Sequence, residues 1–338
     1  MLSHRATDER LRNDPRDWRP QMHPRSDASH ASTEAKRMAT NIRSSQDESG
    51  GWPLMQTINE PWKDDANAAG PWGRRVALIK ATVNEIRFLA RAHRVTQDAE
   101  FLRAANEGID FILKAQYPSG GWPHSYPHRR DAHDRHTTFS DDEMIDLMRL
   151  LRDVTTEPDF EAMGNERRAA AQKAFDSGID FILKSQIVVN GRRTVWAQQH
   201  DEVSYEPRSA RALEPAAIGA GESAGVLILL MSIAQPPHAV IRAIEAGVAW
   251  YDAVKISGIR IERTVDDRAV RADPDAPPLW ARFYQIGTNR PIFVGRDGAV
   301  RFELAELEKE RRSGYNWYGD WGRSVLDQYA VWKRLGRS

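Results

Sequence analysis

The sequence contains no cysteine among its 338 residues. Disulfide staples, thiolate zinc sites and cysteine nucleophiles are therefore excluded. Arginine and lysine together number 48, as do aspartate and glutamate, so the net charge favours neither a nucleic acid nor a membrane as partner. The longest apolar run, Val226 to Met231, is far too short to span a bilayer. We therefore expect a globular monomer that binds neither nucleic acid nor membrane.

An apolar leader and the common catalytic motifs are also missing. Residues 1–30 are polar, contain Pro15, Pro20 and Pro24 and show no periodicity, which predicts a disordered or loosely packed arm. The first twenty residues hold no apolar segment typical of a secretory signal, so the sequence by itself predicts a cytoplasmic protein. There is no P-loop, Gly-x-Gly-x-x-Gly or EF-hand pattern, and the histidine spacing fits no zinc motif.

A repeat of about 70 residues organises the chain instead. The segment Gly108–Gln116 recurs at Gly178–Gln186 with a single change. Related segments open at Met38, 70 residues before the first copy, and at Gly247, 69 residues after the second. Such constant spacing is typical of repeat architectures, in which each unit buries its apolar face against its neighbours.

Each repeat predicts an outer helix, a turn, a loop and an inner helix. The turn is Gly-Gly-Trp-Pro at 50–53 and 120–123, and Asn190-Gly191 predicts a hairpin in the third repeat. The predicted outer helices are 32–45, 99–116, 166–186 and 239–255, the inner helices are 75–94, 140–158 and 222–233, and the terminal helices are 303–311 and 324–334. The predicted fold is mainly α, an incomplete α/α toroid of helical hairpin repeats over residues 31–338, with an irregular, short-stranded C-terminal part.

Acidic residues stand at the predicted starts of the inner helices. Ser140 to Glu143 has the pattern of a capping box, with Ser140 as the N-cap. Asp141, Asp142 and Glu222 lie at these starts, where an acid ordinarily stabilises the helix dipole. The alternative is an oxygen ligand for a hard cation such as calcium.

Arginine and aromatic residues alternate in the predicted loops. Five loop arginines stand out: Arg208, Arg211, Arg282, Arg290 and Arg296. A guanidinium group pairs bidentately with a carboxylate, and aromatic rings stack on sugar faces, so the combination favours an anionic carbohydrate. Ordinary surface salt bridges are the alternative for the arginines, as core packing is for the eleven tryptophans.

Several ordered motifs carry a resemblance to a known family. They are Ala115–Pro118 with Gly120–Pro123, Thr138–Asp141 with Met144, Ala197–Asp201, Ala210-Arg211 with Glu214, Trp280–Tyr284 with Thr288–Phe293 and Arg296–Gly298, and Gly314–Gly319. On these stretches the chain resembles the pectate lyases of polysaccharide lyase family ten, over about residues 30–335. The family is generally secreted, in contrast to the location that the missing leader predicts.

The resemblance implies β-elimination of polygalacturonate or a related uronate polymer or oligomer. Calcium and arginines would bind the uronate carboxylate, and a base would remove the C5 proton. The implied base is Arg211, with Arg208 as the fallback, although a guanidinium is protonated at ordinary pH. By the same resemblance, Arg282 and Arg296 would hold carboxylates, Arg208, Asn289 and Arg290 would bind substrate, and Asp141 would be a calcium ligand.

One position departs from the family pattern. Family members carry an Asp-Asn pair before the first inner helix, and the matching residues here are Leu78 and Ile79. Hydrophobic side chains cannot ligate calcium. Either Asp64 or Asp65 supplies the oxygen, or Lys80 replaces the charge of the metal, or calcium-dependent activity is weakened or lost.

Two other functions are compatible with the sequence. A non-catalytic protein could keep the arginines and bind uronate without cleaving it. A glycoside hydrolase of the α/α-toroid type could use Asp141 and Asp201 as acid and base.

Overall fold

A computed structural model of the chain describes residues 27–53, 77–127, 132–211 and 213–336. By their internal contacts these residues divide into two compact units. The C-terminal unit comprises 139–145 and everything described from 182 onward, and the N-terminal unit comprises the described residues up to 138 together with 146–181. The single domain predicted for 31–338 stays a prediction.

Helices make up most of the described chain. In order they are α1 (Asp27–His30), α2 (Thr33–Ser44), α3 (Ile79–Thr96), α4 (Ala99–Ala115), α5 (Ala132–Arg135), α6 (Glu143–Thr156), α7 (Asn165–Ser185), α8 (Ala220–Met231), α9 (His238–Ala253), α10 (Lys309–Ser313) and α11 (Trp321–Arg334). The four predicted outer helices are confirmed to within about two residues at each end. No helix in the described part of the chain is long and apolar enough to cross a membrane.

The strands are short, and most of them lie in the C-terminal unit. They are β1 (Ala77–Leu78), β2 (Ser125–Tyr126), β3 (Thr137–Thr138), β4 (Val188–Val189), β5 (Arg192–Arg193), β6 (Gln199–His200), β7 (Pro207–Arg208), β8 (Ile218–Gly219), β9 (Ile259–Arg263), β10 (Arg268–Ala272), β11 (Trp280–Ala281), β12 (Phe283–Tyr284), β13 (Pro291–Val294), β14 (Val300–Arg301) and β15 (Tyr318–Gly319). Antiparallel pairing gives the order β14-β13-β12-β8 in one four-stranded sheet, and β9 pairs with β10. The predicted short-stranded C-terminal part is confirmed.

The glutamine that ends each of the first three copies of the repeat ties its own turn to the following outer helix. Gln46 donates from Nε2 to Gly50 and Ala104, Gln116 to Gly120 and Ala174, and Gln186 to Thr194 and Ala243, always to the backbone oxygen. The six distances lie between 2.8 and 3.0 Å. The same side chain thus makes the same two contacts in three repeats, which confirms the repeat predicted from the sequence.

A tryptophan follows each of these glutamines and fills the space between helices. The indole nitrogens of Trp52, Trp122 and Trp196 donate to the backbone oxygens of Ile42, Ile112 and Ile182. All eight tryptophans within the described ranges are buried. Core packing, and not sugar stacking, is therefore the role of tryptophan in this part of the chain.

The end of the predicted arm is packed where the structure describes it. Asp27, in α1, accepts a hydrogen bond of 2.6 Å from Arg94. His30 is buried, and its ring lies 5.3 Å from that of Phe88. Residues 1–26 of the arm lie outside the described residues.

Three predicted helix starts or spans are wrong. The first inner helix begins at Ile79 and not at residue 75, because Ala77 and Leu78 pair as a strand with Ser125–Tyr126. The second begins at Glu143, after a 3-10 turn, Ser140–Asp142, that takes the place of its predicted first residues. The predicted helix 303–311 is a 3-10 turn, Leu304–Glu306, followed by the separate helix α10.

The backbone at Asp141 and Asp142 explains why α6 does not begin at Ser140. Both residues have positive φ, 53° and 59°. A left-handed backbone cannot continue a right-handed helix, so α6 starts only after this turn. Non-glycine residues in this region are uncommon, and strained turns of this kind concentrate at functional sites.

Candidate active site

Arg282 is held in the C-terminal unit by backbone hydrogen bonds on both sides. It lies between β11 and β12, and its amide donates to the carbonyl oxygen of Trp317 at 2.7 Å. Its own carbonyl oxygen accepts from the amide of Ala220, the first residue of α8, at 2.9 Å. Sheet and helix together therefore fix the point from which the side chain projects.

The guanidinium of Arg282 forms a buried ion pair with Glu222 of α8. The two side chains are 9% and 2% exposed, and Nη2 of Arg282 donates to Oε1 of Glu222. Burial alone would lower the pKa of Arg282, but the charge of Glu222 and other nearby acids hold that pKa above its ordinary value. The arginine is therefore a permanent cation in a place of low polarity.

Several polar atoms around this pair have no hydrogen-bond partner within the described residues. Nε of Arg282, Oε2 of Glu222 and Oε1 of Gln198 are all buried in this state. Gln198 donates from its Nε2 to Oε1 of Glu222 at 3.2 Å, so the three side chains form one group. Buried polar atoms are ordinarily paired, and unpaired ones indicate a place where a ligand or water is accommodated.

Tyr315 connects this pair to a second one. Its ring lies 5.1 Å from the guanidinium carbon of Arg282 and 4.6 Å from that of Arg311. Its hydroxyl group donates to Oε1 of Glu214 at 2.9 Å. Burial raises the pKa of Tyr315, so the phenol stays protonated and keeps this hydrogen bond.

Glu214 binds Arg211 through both carboxylate oxygens. Nε of Arg211 lies 2.9 Å from Oε2 and Nη2 lies 2.8 Å from Oε1. Glu214 is only 4% exposed, whereas the side chain of Arg211 is 61% exposed. Burial alone would lower the pKa of Arg211, but the hydrogen bonds that it donates to Glu214, with the charges of Glu214 and Asp141, hold that pKa above its ordinary value.

Arg311 packs against Tyr315 and connects two backbone segments next to these pairs. It is buried, and it donates to the carbonyl oxygens of Val294 at 3.0 Å and Leu213 at 3.2 Å. It thereby joins β13 to the loop that carries Glu214 and packs under the ring of Tyr315. We call the set Arg211, Glu214, Glu222, Arg282, Arg311 and Tyr315 the arginine cluster.

Asp141 lies close enough to this cluster for its charge to act on three of its members. Burial and the pairing acids have larger effects on Arg211 and Arg282, and the negative charge of Asp141 adds to them by raising the pKa of both arginines. The same charge opposes the ionisation of Glu222, whose pKa burial already raises. The neighbouring Asp142 directs Oδ1 toward the backbone of α8 at Gly225, where the lack of a side chain leaves room for it. The strained turn therefore presents one carboxylate to the cluster and packs the other against a helix.

No cluster of acidic or histidine side chains surrounds Asp141 within the described residues. Calcium takes about six to eight oxygen ligands. Among the described residues, Asp141 belongs to no group of three or more acidic or histidine side chains with ligand atoms within 4.8 Å of one another. Ile79, at the position that departs from the family pattern, is 1% exposed and offers no oxygen from its side chain. Asp64 and Asp65 lie outside the described residues.

Arg208 and Asp201 form an ion pair with each other. No described contact joins either of them to the arginine cluster. Nη2 of Arg208 lies 3.0 Å from Oδ2 of Asp201, whose Oδ1 accepts from the amides of Val203 and Ser204. The hydrogen bond from Ser204 is the largest effect, and with the others it holds the pKa of Asp201 well below its ordinary value. A carboxylate with so low a pKa is a weak general base, the role that the glycoside hydrolase hypothesis gives to Asp201, and this argues against that hypothesis.

The remaining predicted substrate-binding residues have other described partners. Arg296 makes a bidentate pair with Glu310, at 2.9 and 2.6 Å. Arg290 lies over the ring of Phe302, 3.6 Å from its centre. Asn289 accepts a hydrogen bond of 3.0 Å from the indole of Trp250. The structure thus brings together Arg211, Arg282 and Asp141, and it shows no contact of Asn289, Arg290 or Arg208 with them.

Sequence reasoning missed Tyr315 and Arg311 as members of the site, and it considered Glu222 only as a helix-start acid or a cation ligand. Glu214, three residues after Arg211, had a spacing that could have suggested a pair. Tyr315 lies inside a motif that carries the family resemblance, Gly314–Gly319, but nothing local indicates that its hydroxyl group would reach Glu214, 101 residues away.

Comparison with known proteins agrees with this arrangement. A family model described as "Pectic acid lyase" matches residues 46–326. The chain is similar to a family 10 polysaccharide lyase from Cellvibrio cellulosa, with 28% identity, a TM-score of 0.77, and coverage of 95% of this chain and 96% of that chain. It is equally similar, at 28% identity and a TM-score of 0.77 over 99% of both chains, to an aspartate-to-alanine mutant of a family 10 lyase from the same organism in complex with trigalacturonic acid. No curated protein matches the chain. The predicted fold class and the family resemblance are confirmed.

Proposed function

The chain belongs to the pectic acid lyase family and is a pectate-lyase-like enzyme, and we propose that its arginine cluster is the site that binds and cleaves a uronate oligosaccharide. The observation that carries this proposal is the buried cation of Arg282, whose Nε has no partner within the described residues. A carboxylate is the group that a guanidinium binds with two parallel hydrogen bonds. A uronate ring carries one such group on every sugar.

Substrate binding at this site is favoured by its pre-organisation. Arg282 is fixed by its backbone and by Glu222, and Tyr315 packs against its guanidinium. Side chains that are already ordered lose little entropy when a ligand arrives. The exposed guanidinium of Arg211 then faces the same ligand from the other side of Glu214 and Tyr315.

The proposed reaction removes a proton from C5 of the sugar. Binding of the carboxylate to Arg282 stabilises the negative charge that develops next to C5. The proton passes to the neutral form of Arg211, and the electron pair left behind forms a double bond between C4 and C5. The bond from C4 to the glycosidic oxygen breaks, and this oxygen takes a proton from water.

Arg211 is charged in the resting protein, because Glu214 holds its pKa high. The proposed reaction must therefore draw on the small neutral fraction, which grows with pH. A cationic environment favours this fraction, and Arg282 and Arg311 provide it from nearby. Activity is thus expected at alkaline pH.

For calcium we propose weak binding by the free protein, with Asp141 as the one ligand from this site. A single carboxylate places the dissociation constant at about a millimolar or weaker. Calorimetric titration checks this value, and trigalacturonate should tighten it, because its carboxylates add oxygen ligands. Tight calcium binding by the free protein would contradict the proposal.

The function is tested with trigalacturonate and polygalacturonate at alkaline pH. The measurement is the ultraviolet absorbance of the unsaturated sugar that β-elimination creates. Arg211→Ala should lower kcat by about a thousandfold with KM little changed. Arg323→Ala, an exposed arginine on α11, is the control and should behave like the unchanged protein.

Two results would contradict this function. Binding of trigalacturonate without any unsaturated product, and unaffected by Arg211→Ala, would indicate the non-catalytic uronate-binding protein. Cleavage products without a double bond would indicate hydrolysis.

A further inference from the structure

A second groove in the C-terminal unit shares no residue with the arginine cluster. Its volume is about 980 Å³, near the upper end of the range of about 300–1,000 Å³ for ligand sites. One wall is the β4–β5 hairpin, the floor is α9, and the other wall is the loop at Gly287 and Asn289. We call it the α9 groove.

The floor of the α9 groove is made of small residues along one side of the helix. Ala246, Ala249 and Ala253 recur at intervals of three and four, which places them on a single face of α9. Because these side chains are short, the hairpin and the loop rise above them as walls. The result is an open trough that can take an extended chain molecule.

The walls carry an excess of positive charge. Three arginines line the groove, Arg192, Arg193 and Arg242, against one acid, Glu245. All three arginines are exposed, and no carboxylate within the described residues pairs with any of them. The sequence as a whole has equal numbers of acidic and basic residues, so this is a local concentration of cations.

Asn289 gives the groove a fixed polar donor. Its backbone is left-handed, with φ 55°, and its Oδ1 is held by the indole of Trp250. The Nδ2 group of the same amide is left to donate to a ligand. The groove therefore offers cations and a donor but few acceptors, which suits a molecule rich in carboxylate and hydroxyl oxygens.

We propose that the α9 groove is a second binding site for an anionic polysaccharide chain, which it holds away from the arginine cluster. The proposal rests on the uronate substrate of the proposed function. Guanidinium groups along the walls of the groove match the carboxylates that repeat along a polyuronate. A short oligosaccharide that fills the arginine cluster gains nothing from this groove, whereas a polymer can occupy both.

The test uses the full chain with Arg192→Ser, Arg193→Ser and Arg242→Ser combined. The apparent affinity for polygalacturonate, measured by retention in gels that contain it, should fall by about tenfold. Retention in gels containing neutral dextran should not change. The matched control, Arg323→Ser, Lys333→Ser and Arg334→Ser, removes the same charge from exposed positions on α11 and should keep its retention. Added salt should reduce the retention of the unchanged protein.

Activity separates this proposal from the proposed function. The groove variant should raise KM for polygalacturonate and leave the cleavage of trigalacturonate unchanged. Unaltered retention of the groove variant, or an equal loss of retention in the control variant, would overturn the proposal for the α9 groove. The proposed function would not be affected by either result. Binding of an acidic peptide such as polyglutamate in preference to polygalacturonate would also overturn the groove proposal, in favour of a protein partner. If only the groove variant loses retention, the proposal for the α9 groove is supported even if no unsaturated product forms.

Discussion

Arg282 and Glu222 form a buried pair in which each charge depends on the other. Taking two charges out of water is costly, and the pair recovers that cost only while both partners remain. The neighbouring atoms Nε of Arg282 and Oε2 of Glu222 stay unpaired within the described residues. The site therefore holds a cation that a carboxylate ligand can stabilise further.

Glu222→Gln should destabilise the protein, because it leaves the guanidinium buried without its counter-charge. The expected loss is about 3 kcal/mol in the free energy of unfolding, measured by urea denaturation. Trigalacturonate should restore more stability to this variant than to the unchanged protein, since its carboxylate replaces the missing charge. Equal stabilisation of both proteins by the ligand would mean that it does not bind at Arg282.

The pair of Arg296 with Glu310 supplies the control. Its side chains are 56% and 67% exposed, so Glu310→Gln should change stability by less than about 1 kcal/mol. Because so exposed a pair is weak, Arg296 also remains able to exchange Glu310 for a substrate carboxylate.

Glu214→Gln should shift the pH dependence of activity toward lower pH. The carboxylate holds the pKa of Arg211 above its ordinary value, so its removal lowers that pKa. Below its pKa the neutral fraction of a base rises about tenfold per pH unit. The variant should therefore reach a given fraction of its own maximal rate at a lower pH, as initial rates over an alkaline series will show.

Asp201→Asn is the matched control, because it removes the acid that pairs with Arg208 in the same way. If Arg211 is the base, this change leaves the pH profile where it is. A profile that moves with Asp201→Asn and not with Glu214→Gln would transfer the role to Arg208.

At the level of elements, the turn Ser140–Asp142 and helix α8 fit together through one glycine. A β-carbon at Gly225 would stand 2.1 Å from Oδ1 of Asp142. The left-handed turn therefore packs directly on the helix that carries Glu222. This contact sets where Asp141 is presented.

Gly225→Ala should displace the carboxylate of Asp142 and with it the turn. A small misplacement of a site residue can lower activity by about tenfold to a hundredfold. Stability should change little, because alanine favours the helix by about 1 kcal/mol over glycine. The measurements are kcat/KM on trigalacturonate and the thermal midpoint.

Gly221→Ala, in the same helix, is the control. There a β-carbon would meet its nearest neighbour, Trp321, at 3.5 Å, which is an ordinary contact. Activity should be kept and stability slightly raised. Equal loss of activity in both variants would show that the helix, and not the Asp142 contact, is responsible.

At the level of the whole molecule, the repeat brings its helices close through a glycine in three of its four copies. A β-carbon at Gly108 would lie 2.6 Å from Ile86 and 2.8 Å from Trp52. At Gly178 it would meet Met148 at 2.3 Å, and at Gly247 it would meet Leu227 at 2.7 Å. The glycine that opens the repeated segment is thus a packing requirement.

Gly108→Ala should lower the free energy of unfolding by about 1–2 kcal/mol, since overpacking outweighs the gain in helix propensity. Gly178→Ala should be milder, because the sulfur end of Met148 can move aside. Urea denaturation measures both. A Gly108→Ala protein as stable as the unchanged one would mean that the contact relaxes freely.

Whole-molecule properties that depend on solution conditions stay predictions. These are the monomeric state, the cytoplasmic location and the lack of nucleic-acid or membrane partners. Size-exclusion chromatography coupled to light scattering checks the first. The uronate partner is the one that the family and its trigalacturonic acid complex support.

The sequence by itself determined the repeat, the outer helices, the short-stranded C-terminal part and the family. These follow from local signals: periodic apolar residues, Gly-Gly-Trp-Pro turns and long motifs such as Trp280–Tyr284. It did not determine the start of α6, because the capping pattern at Ser140 gives no sign of the left-handed turn that packs against Gly225.

Only the tertiary structure decided which charges meet. The sequence placed Arg211 and Arg282 in a common site, but not the partners that set their charge states. Glu222 pairs with Arg282 across 60 residues, and Tyr315 reaches Glu214 across 101. The pKa of a guanidinium and the pairing of a buried carboxylate depend on distance and burial, and neither is written in local sequence.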